Sequence, residues 1–303
     1  MRFLDHGTFA LQCHNEGSRV AYRCVRVRPI PEDLPDYTAA APVVDNTYRE
    51  IINIGRHNLP MVDYHVSLRD GMTLEQALRK SRADGIQYGI TAVSTTVKND
   101  ADAQRWLRSL AGRPVFCALY AAEPDWTGAI SRTAARRFDY VLADSRTWTD
   151  SKNRTVRLWM PEETKSITNW EAFLDSLLDQ TVEGLNSQPI DIYAFPTYVP
   201  VSMRVEADQL WTEHRTSKLI DALLKNNVAI EINTPEQLPS QALIERAKRA
   251  GCKFGFGTGN KDTAELKRSE YGLQMMELCK LDWKDFFVPG AWWPKVVDRR
   301  WPA

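Results

Sequence analysis

Residues 60–94 read PMVDYHVSLRDGMTLEQALRKSRADGIQYGITAVS. Met61 to Val66 is an apolar run of strand length, broken only by the polar Asp63 and His65. A polar loop follows, and Thr73 with Gln76 three residues on forms a capping-box signature at the start of a helix. Leu74, Ala77 and Leu78 fall on one face of that helix, and Gly85 supplies its stop. Tyr88 to Val93 is then a second strand. Two apolar strands joined by an amphipathic helix form the repeating unit of a parallel sheet.

The same grammar recurs. Strand-length apolar runs return at Val115 to Tyr120, Tyr140 to Ala143, Ile190 to Ala194, Val228 to Ile232 and Lys253 to Phe256. Between them, Trp170, Phe173, Leu174, Leu177, Leu178 and Leu185 form one helical stripe, and a further helix runs from Ser240 through Leu243, Ile244 and Ala247 to Gly251. Seven units of this kind predict an α/β fold, a slightly irregular (β/α)7 barrel of TIM type covered by helices.

The 303-residue chain is long enough to bury a barrel-sized core. Its 39 lysines and arginines balance 39 aspartates and glutamates, so no overall field draws it to nucleic acid or an anionic membrane. Small-molecule partners are expected instead, with no nucleic acid and no membrane; composition leaves oligomeric state open. The five cysteines, Cys13, Cys24, Cys117, Cys252 and Cys279, form no CxxC pair and read as buried small apolar residues. The N-terminus MRFLDHGTFALQ lacks the apolar core of a signal peptide, and a cytoplasmic location is the expectation.

Ahead of the barrel, Gly7 to Pro31 reads as a β-hairpin arm whose apolar parity shifts after Cys24, as at a bulge. His6 and His14 in this arm read as surface residues. Residues 32–58, with Pro35 and Pro42, read as a linker, and 59–303 as the barrel domain. The aromatic C-terminus, with Trp283, Phe286, Phe287, Trp292, Trp293 and Trp301, reads as a plug packed on the closed face of the domain.

In a parallel barrel, reactive groups follow the C-terminal ends of the strands. Those positions hold Asp63, His65 and Ser67, then Thr91 and Ser94, Tyr120 and Glu123, Asp144 and Arg146, Thr197, Glu231 and Asn233, and Thr258 and Asn260. His65 is the candidate general base, with Asp63 to orient it. Arg146 is a candidate anion partner, and Glu231, Asn233, Thr197, Thr258 and Asn260 are candidate pocket residues. Each also has a plain structural role available as an ion pair, cap or loop brace.

Two resemblances add to this reading. GTFALQCHNEGSRVAYRCVRVRPI, residues 7–30, resembles the last strands of the laminin-G-like jelly roll of the 3-keto-disaccharide hydrolase family, which implies that residues 1–31 are a remnant of such a domain or of a fusion with it. From Leu59 to about Pro289 the chain resembles the PHP (polymerase and histidinol phosphatase) superfamily of seven-stranded, metal-dependent phosphoesterase barrels. The matching phrases are DYHVSLRDGMTLEQAL, FDYVLADSRTWTD, PIDIYAFPTYVP, VAIEIN and KFGFGTGN.

The PHP resemblance also implies a reduced metal centre. Asp63 and His65 match the opening D-x-H, but Ser67 stands where the second histidine belongs. Thr91 to Val93 lack the usual ligand, Arg146 and Phe195 replace histidines, and the last motif reads Gly259, Asn260, Lys261. With His65 and His214 the only histidines after residue 58, a trinuclear zinc site is not expected. The remaining metal expectation is none, or one weakly bound magnesium or manganese on Asp63, His65, Asp144 and Glu123. The function expected is therefore a PHP-like hydrolase with an eroded centre acting on a phosphorylated or carbohydrate-derived small molecule. The alternative is a non-catalytic barrel that binds a sugar or an anion.

Overall fold

Nine strands are formed among the described residues of the computed structural model, which are 61–122, 126–267, 270–291 and 294–302. They are β1 (Val62–Val66), β2 (Gln87–Val93), β3 (Phe116–Ala121), β4 (Tyr140–Ala143), β5 (Thr147–Thr149), β6 (Thr155–Arg157), β7 (Ile192–Tyr193), β8 (Ala229–Asn233) and β9 (Phe254–Gly257). Seven close into a parallel barrel in the order β1-β2-β3-β4-β7-β8-β9, and the Asp63–Phe256 pairing of β1 with β9 completes the ring. The seven predicted strand positions all lie in this barrel. The arm expected at 1–31, the linker at 32–58, Cys13, Cys24, His6, His14, Trp292, Trp293 and Glu123 lie outside the described residues.

Local sequence accounts for the layers. The helix Leu74–Asp84 has the full capping box between Thr73 and Gln76 and ends on Gly85 in the left-handed conformation. The helix Trp170–Ser187 buries Phe173, Leu174, Leu177, Leu178 and Leu185. Burial of each of these side chains is worth about 1.5–3 kcal/mol relative to exposure, and truncating Leu174 to alanine would cost about 2–5 kcal/mol through the cavity left behind. Ser240 precedes the helix Gln241–Ala250, and Gly251 closes it in the left-handed conformation.

Inside the ring, alternate strand residues form one apolar cluster that includes Val62, Tyr64, Phe116, Ala118, Tyr120, Tyr140, Leu142, Ile192 and Ala229. The C-terminal aromatics divide. Phe286 and Phe287 are buried at the start of β9, where the Phe287 amide donates to Phe254 O at 2.7 Å and the Tyr64 hydroxyl donates to Phe287 O at 2.6 Å. Phe287 joins the interior cluster at the bottom of the barrel, Phe286 packs against Phe256 in the cluster shared with the helices, Trp301 packs edge-on against Trp126, and Trp283 is exposed.

Two features were not expected from sequence patterning. The register of β1 on β2 shifts between Asp63 and Val66, so that the consecutive Tyr64 and His65 both face rings of the interior: Tyr64 those of Phe116 and Tyr140, His65 those of Tyr120 and Phe195. An irregularity of this kind re-aims a side chain, here at the motif histidine. The second feature is the antiparallel hairpin β5–β6, inserted after β4. Cys117 is partly buried, Cys252 and Cys279 are buried, and all three are free thiols. No helix among the described residues is long and apolar enough to cross a membrane.

Candidate functional site at the C-terminal face of the barrel

Most of the predicted residues meet in one buried hydrogen-bonded network. Asp63 Oδ1 accepts from the amides of His65 and Thr258, each at 3.0 Å, and Oδ2 accepts from Thr258 Oγ1 at 2.7 Å. Burial raises the Asp63 pKa, and these donors offset that only in part. His65 Nδ1 donates to Glu231 Oε1 at 2.8 Å, and Glu231 Oε2 accepts from the Phe195 amide at 2.6 Å. Asn233 Nδ2 donates to Thr258 O at 3.2 Å, and Asn233 Oδ1 accepts from the Glu236 amide at 3.0 Å. Asn260 clamps the Ser67 backbone, accepting from its amide at 2.8 Å and donating to its carbonyl at 3.1 Å. The Thr91 hydroxyl donates to Val66 O, so the Ser67 hydroxyl is the donor in the 3.1 Å bond between Ser67 and Thr91.

Gly257 makes room for this network. A Cβ there would lie 2.0 Å from Glu231 Oε1, so only glycine lets the carboxylate sit against the β9 backbone.

A second cluster lies at the end of β4. Arg146 Nε donates to Asp144 Oδ2 at 2.5 Å, and its Nη2 donates to the Tyr120 hydroxyl at 3.1 Å, which in turn donates to Asp144. Burial pushes the Asp144 pKa up, but the Arg146 charge and the bonds from Tyr120 and Arg146 outweigh it and hold the carboxyl below its usual range. The Arg146 guanidinium lies 3.5 Å from the centre of the Phe195 ring. Thr197, by contrast, is buried but turned to local bonds: its hydroxyl donates to Pro196 O, and its own carbonyl accepts from Trp211 Nε1. It is not part of the His65 network.

Above the Arg146 cluster opens a cavity of about 930 Å3, within the size range of small-molecule sites. Sequence reading did not find most of its wall. Arg69, Arg157, Trp159, Tyr198, Arg204 and Lys261 all line it. The β5–β6 hairpin brings Arg157 and Trp159 to this rim, and its signal was available: TWT and TVR flank the polar turn Asp150 to Arg154. Arg204 and Lys261 share the single carboxylate of Glu236, at 2.6 and 3.0 Å. His214 is exposed on the helix Glu213–Asn226.

A resident divalent cation would have to compete for lone pairs already in use. Both Asp63 oxygens, both Glu231 oxygens and Oδ2 of Asp144 accept protein hydrogen bonds. Among the described residues, no three His, Cys, Asp or Glu side chains are grouped to hold a metal ion. An ion bound here would share these carboxylates with their present donors.

No protein-family model matches the chain, and a search of curated proteins gives no match. Among solved structures, a triazine hydrolase variant is similar at 16% sequence identity and a TM-score of 0.31. The match covers 70% of this chain and 48% of that one, so the chain spans about half the length of that protein. A likeness of this size carries no inference about this chain's reaction. What stands is a closed seven-stranded parallel α/β barrel of TIM type.

Proposed function

We propose that this chain is a PHP-like barrel that binds an anionic small molecule, phosphorylated or carbohydrate-derived, in the cavity at its C-terminal face. The observation that carries the reading is Arg146. Asp144 and Tyr120 fix its guanidinium in orientation, the Phe195 ring supports its face, and it lines a cavity with four further cations. An oriented guanidinium is the side chain best suited to a phosphate or carboxylate. Trp159 and Tyr198 bring two aromatic side chains to the cavity wall for an apolar or sugar-like body on the same ligand. The superfamily part of the proposal draws on the motif positions, since Asp63, His65, Glu231, Thr258 and Asn260 converge at the strand ends where the resemblance locates a site.

Calorimetric titration with glucose 6-phosphate against glucose tests it. The phosphorylated sugar should bind, weaken at higher salt, and lose at least about tenfold in affinity in Arg146→Gln, the loss of one charged hydrogen-bond partner. Equal affinity for the two sugars would overturn the proposal.

One observation favours a hydrolytic reading: Glu231 fixes Nδ1 of His65 as a donor, which leaves Nε2 as the acceptor that a general base needs. Here Asp63 acts on His65 through its backbone amide. Hydrolysis of p-nitrophenyl phosphate that disappears in His65→Ala would favour this reading. An added requirement for Mg2+ or Mn2+ would show that a divalent cation takes part.

A further inference from the structure

The residue between these two clusters has a part that neither reading assigns. We infer that Phe195 is the specificity-determining partition beneath the cavity floor: it backs the Arg146 guanidinium that faces the ligand above and closes the His65–Glu231 pair off below. The inference deepens the anion-binding proposal and rests on it.

Four observations converge on this ring. Its face carries the Arg146 guanidinium at 3.5 Å. It meets the His65 imidazole edge-to-face, with ring centres 5.2 Å apart. Its tip fills the space over Gly259, where a Cβ would lie 2.3 Å from Phe195 Cζ, so residue 259 is small because the ring is there. Its backbone is held in the left-handed region, φ 47°, with Thr197 at φ 62° just beyond Pro196. Such conformations are costly in residues other than glycine and persist only where the surroundings over-determine them. Here the Phe195 amide donates to the same Glu231 carboxylate that orients His65. One carboxylate thus pins both the imidazole and the ring that covers it.

The consequence is a shallow site. Among the described residues, Tyr120, Arg146, Tyr198 and Gly259 line the cavity, while Phe195 lies behind Arg146 and neither it nor His65 nor Glu231 reaches the cavity surface. His65 is 2% exposed. An anion that enters meets the guanidinium and stops at the layer that Arg146, Tyr120 and Gly259 form over Phe195, so the site accepts ligands by a terminal anionic group and does not admit them to the imidazole.

Carbethoxylation of the full chain by diethyl pyrocarbonate, read by mass spectrometry of the peptides that carry each histidine, tests this, with the exposed His214 as internal reference. In the wild type, His65 should react at least about tenfold more slowly than His214, as burial beneath a closed floor requires. Phe195→Ala should bring the two rates together, and inorganic phosphate should then slow modification of His65 in the variant while leaving the wild type unchanged. Phe195→Leu keeps an apolar filler and should fall between, which covers the case in which the alanine variant fails to fold. His65 that reacts as fast as His214 in the wild type, or stays inert in a folded Phe195 variant, would overturn the inference, as would phosphate without effect in an opened variant. Failure of the anion-binding reading shows separately, as equal binding of glucose and glucose 6-phosphate in the wild type.

Discussion

Nδ1 of His65 lies 2.8 Å from Oε1 of Glu231, and the two residues are 2% and 1% exposed. A pair so buried is held by mutual satisfaction rather than by its charge alone. Removing one partner leaves the other desolvated and unpaired. Glu231→Ala strands both the His65 Nδ1–H and the Phe195 N–H, and should cost about 3–5 kcal/mol. Glu231→Gln keeps an acceptor and should cost about 1–3 kcal/mol. Urea unfolding followed by far-UV circular dichroism gives both numbers, and equal losses for the two variants would contradict this account.

Gly257 should be as intolerant as the carboxylate it faces. A methyl group there meets Glu231 Oε1, Cδ and Cγ at 2.0, 2.7 and 2.9 Å, and none of these atoms is the free end of an exposed side chain. Gly257→Ala is expected to lower stability by about 1–3 kcal/mol through overpacking. Its thermal midpoint should drop well below that of a control Gly128→Ala, where an added Cβ meets nothing within 4 Å.

Two buried aspartates should give opposite slopes of stability with pH. Burial pushes Asp191, which accepts from the Val141 amide at 2.9 Å, up to about 6. Its folded pKa exceeds the unfolded value, so its contribution is complete below about pH 4 and is lost as the pH rises through 6. Asp191→Asn does not titrate, and should gain on the wild type by up to about 3 kcal/mol over that window. Asp144 runs the other way, because its folded pKa is depressed: its contribution is present at neutral pH and is lost as the pH falls below about 4. Asp144→Asn should therefore be most damaging at pH 7 and converge on the wild type in acid. Denaturation midpoints from pH 2 to pH 7 check both signs, Asp191 between 4 and 7 and Asp144 below 4.

Thr73 offers a test remote from the site. Its side chain accepts from the Gln76 amide at 3.2 Å, while Gln76 Oε1 accepts from the Thr73 amide at 2.7 Å. Thr73→Ala should cost about 1 kcal/mol by loss of the cap, while the glucose 6-phosphate titration stays unchanged.

The barrel strands, the capped first helix and the stripe of the helix Trp170–Ser187 were legible in the sequence because each follows from period and local chemistry alone. Apolar runs of strand length, a capping box and a left-handed glycine act over a few residues, and no distant contact is needed to interpret them. Part of the site was legible in the same way, since strand ends in a parallel barrel converge: Asp63, His65, Glu231, Thr258 and Asn260 meet as their positions implied. Thr197 has the same kind of position but turns to its own loop, through a backbone conformation that composition does not reveal.

Which of these groups faces a ligand depends on contacts made across large separations in the chain. The register shift in β1 turns His65 inward beside Tyr64. The β5–β6 hairpin adds Arg157 and Trp159 to the rim, and the ring of Phe195 settles between Arg146 and His65 over a glycine 64 residues away in the chain. Seven parallel strands, and the strand ends at which a site would form, can be read from residue order alone, because periodicity and capping are local. That Arg146 lines the cavity with Phe195 behind it and His65 buried on the far side of that ring follows only from the folded chain, because burial and stacking are set by residues far apart in sequence.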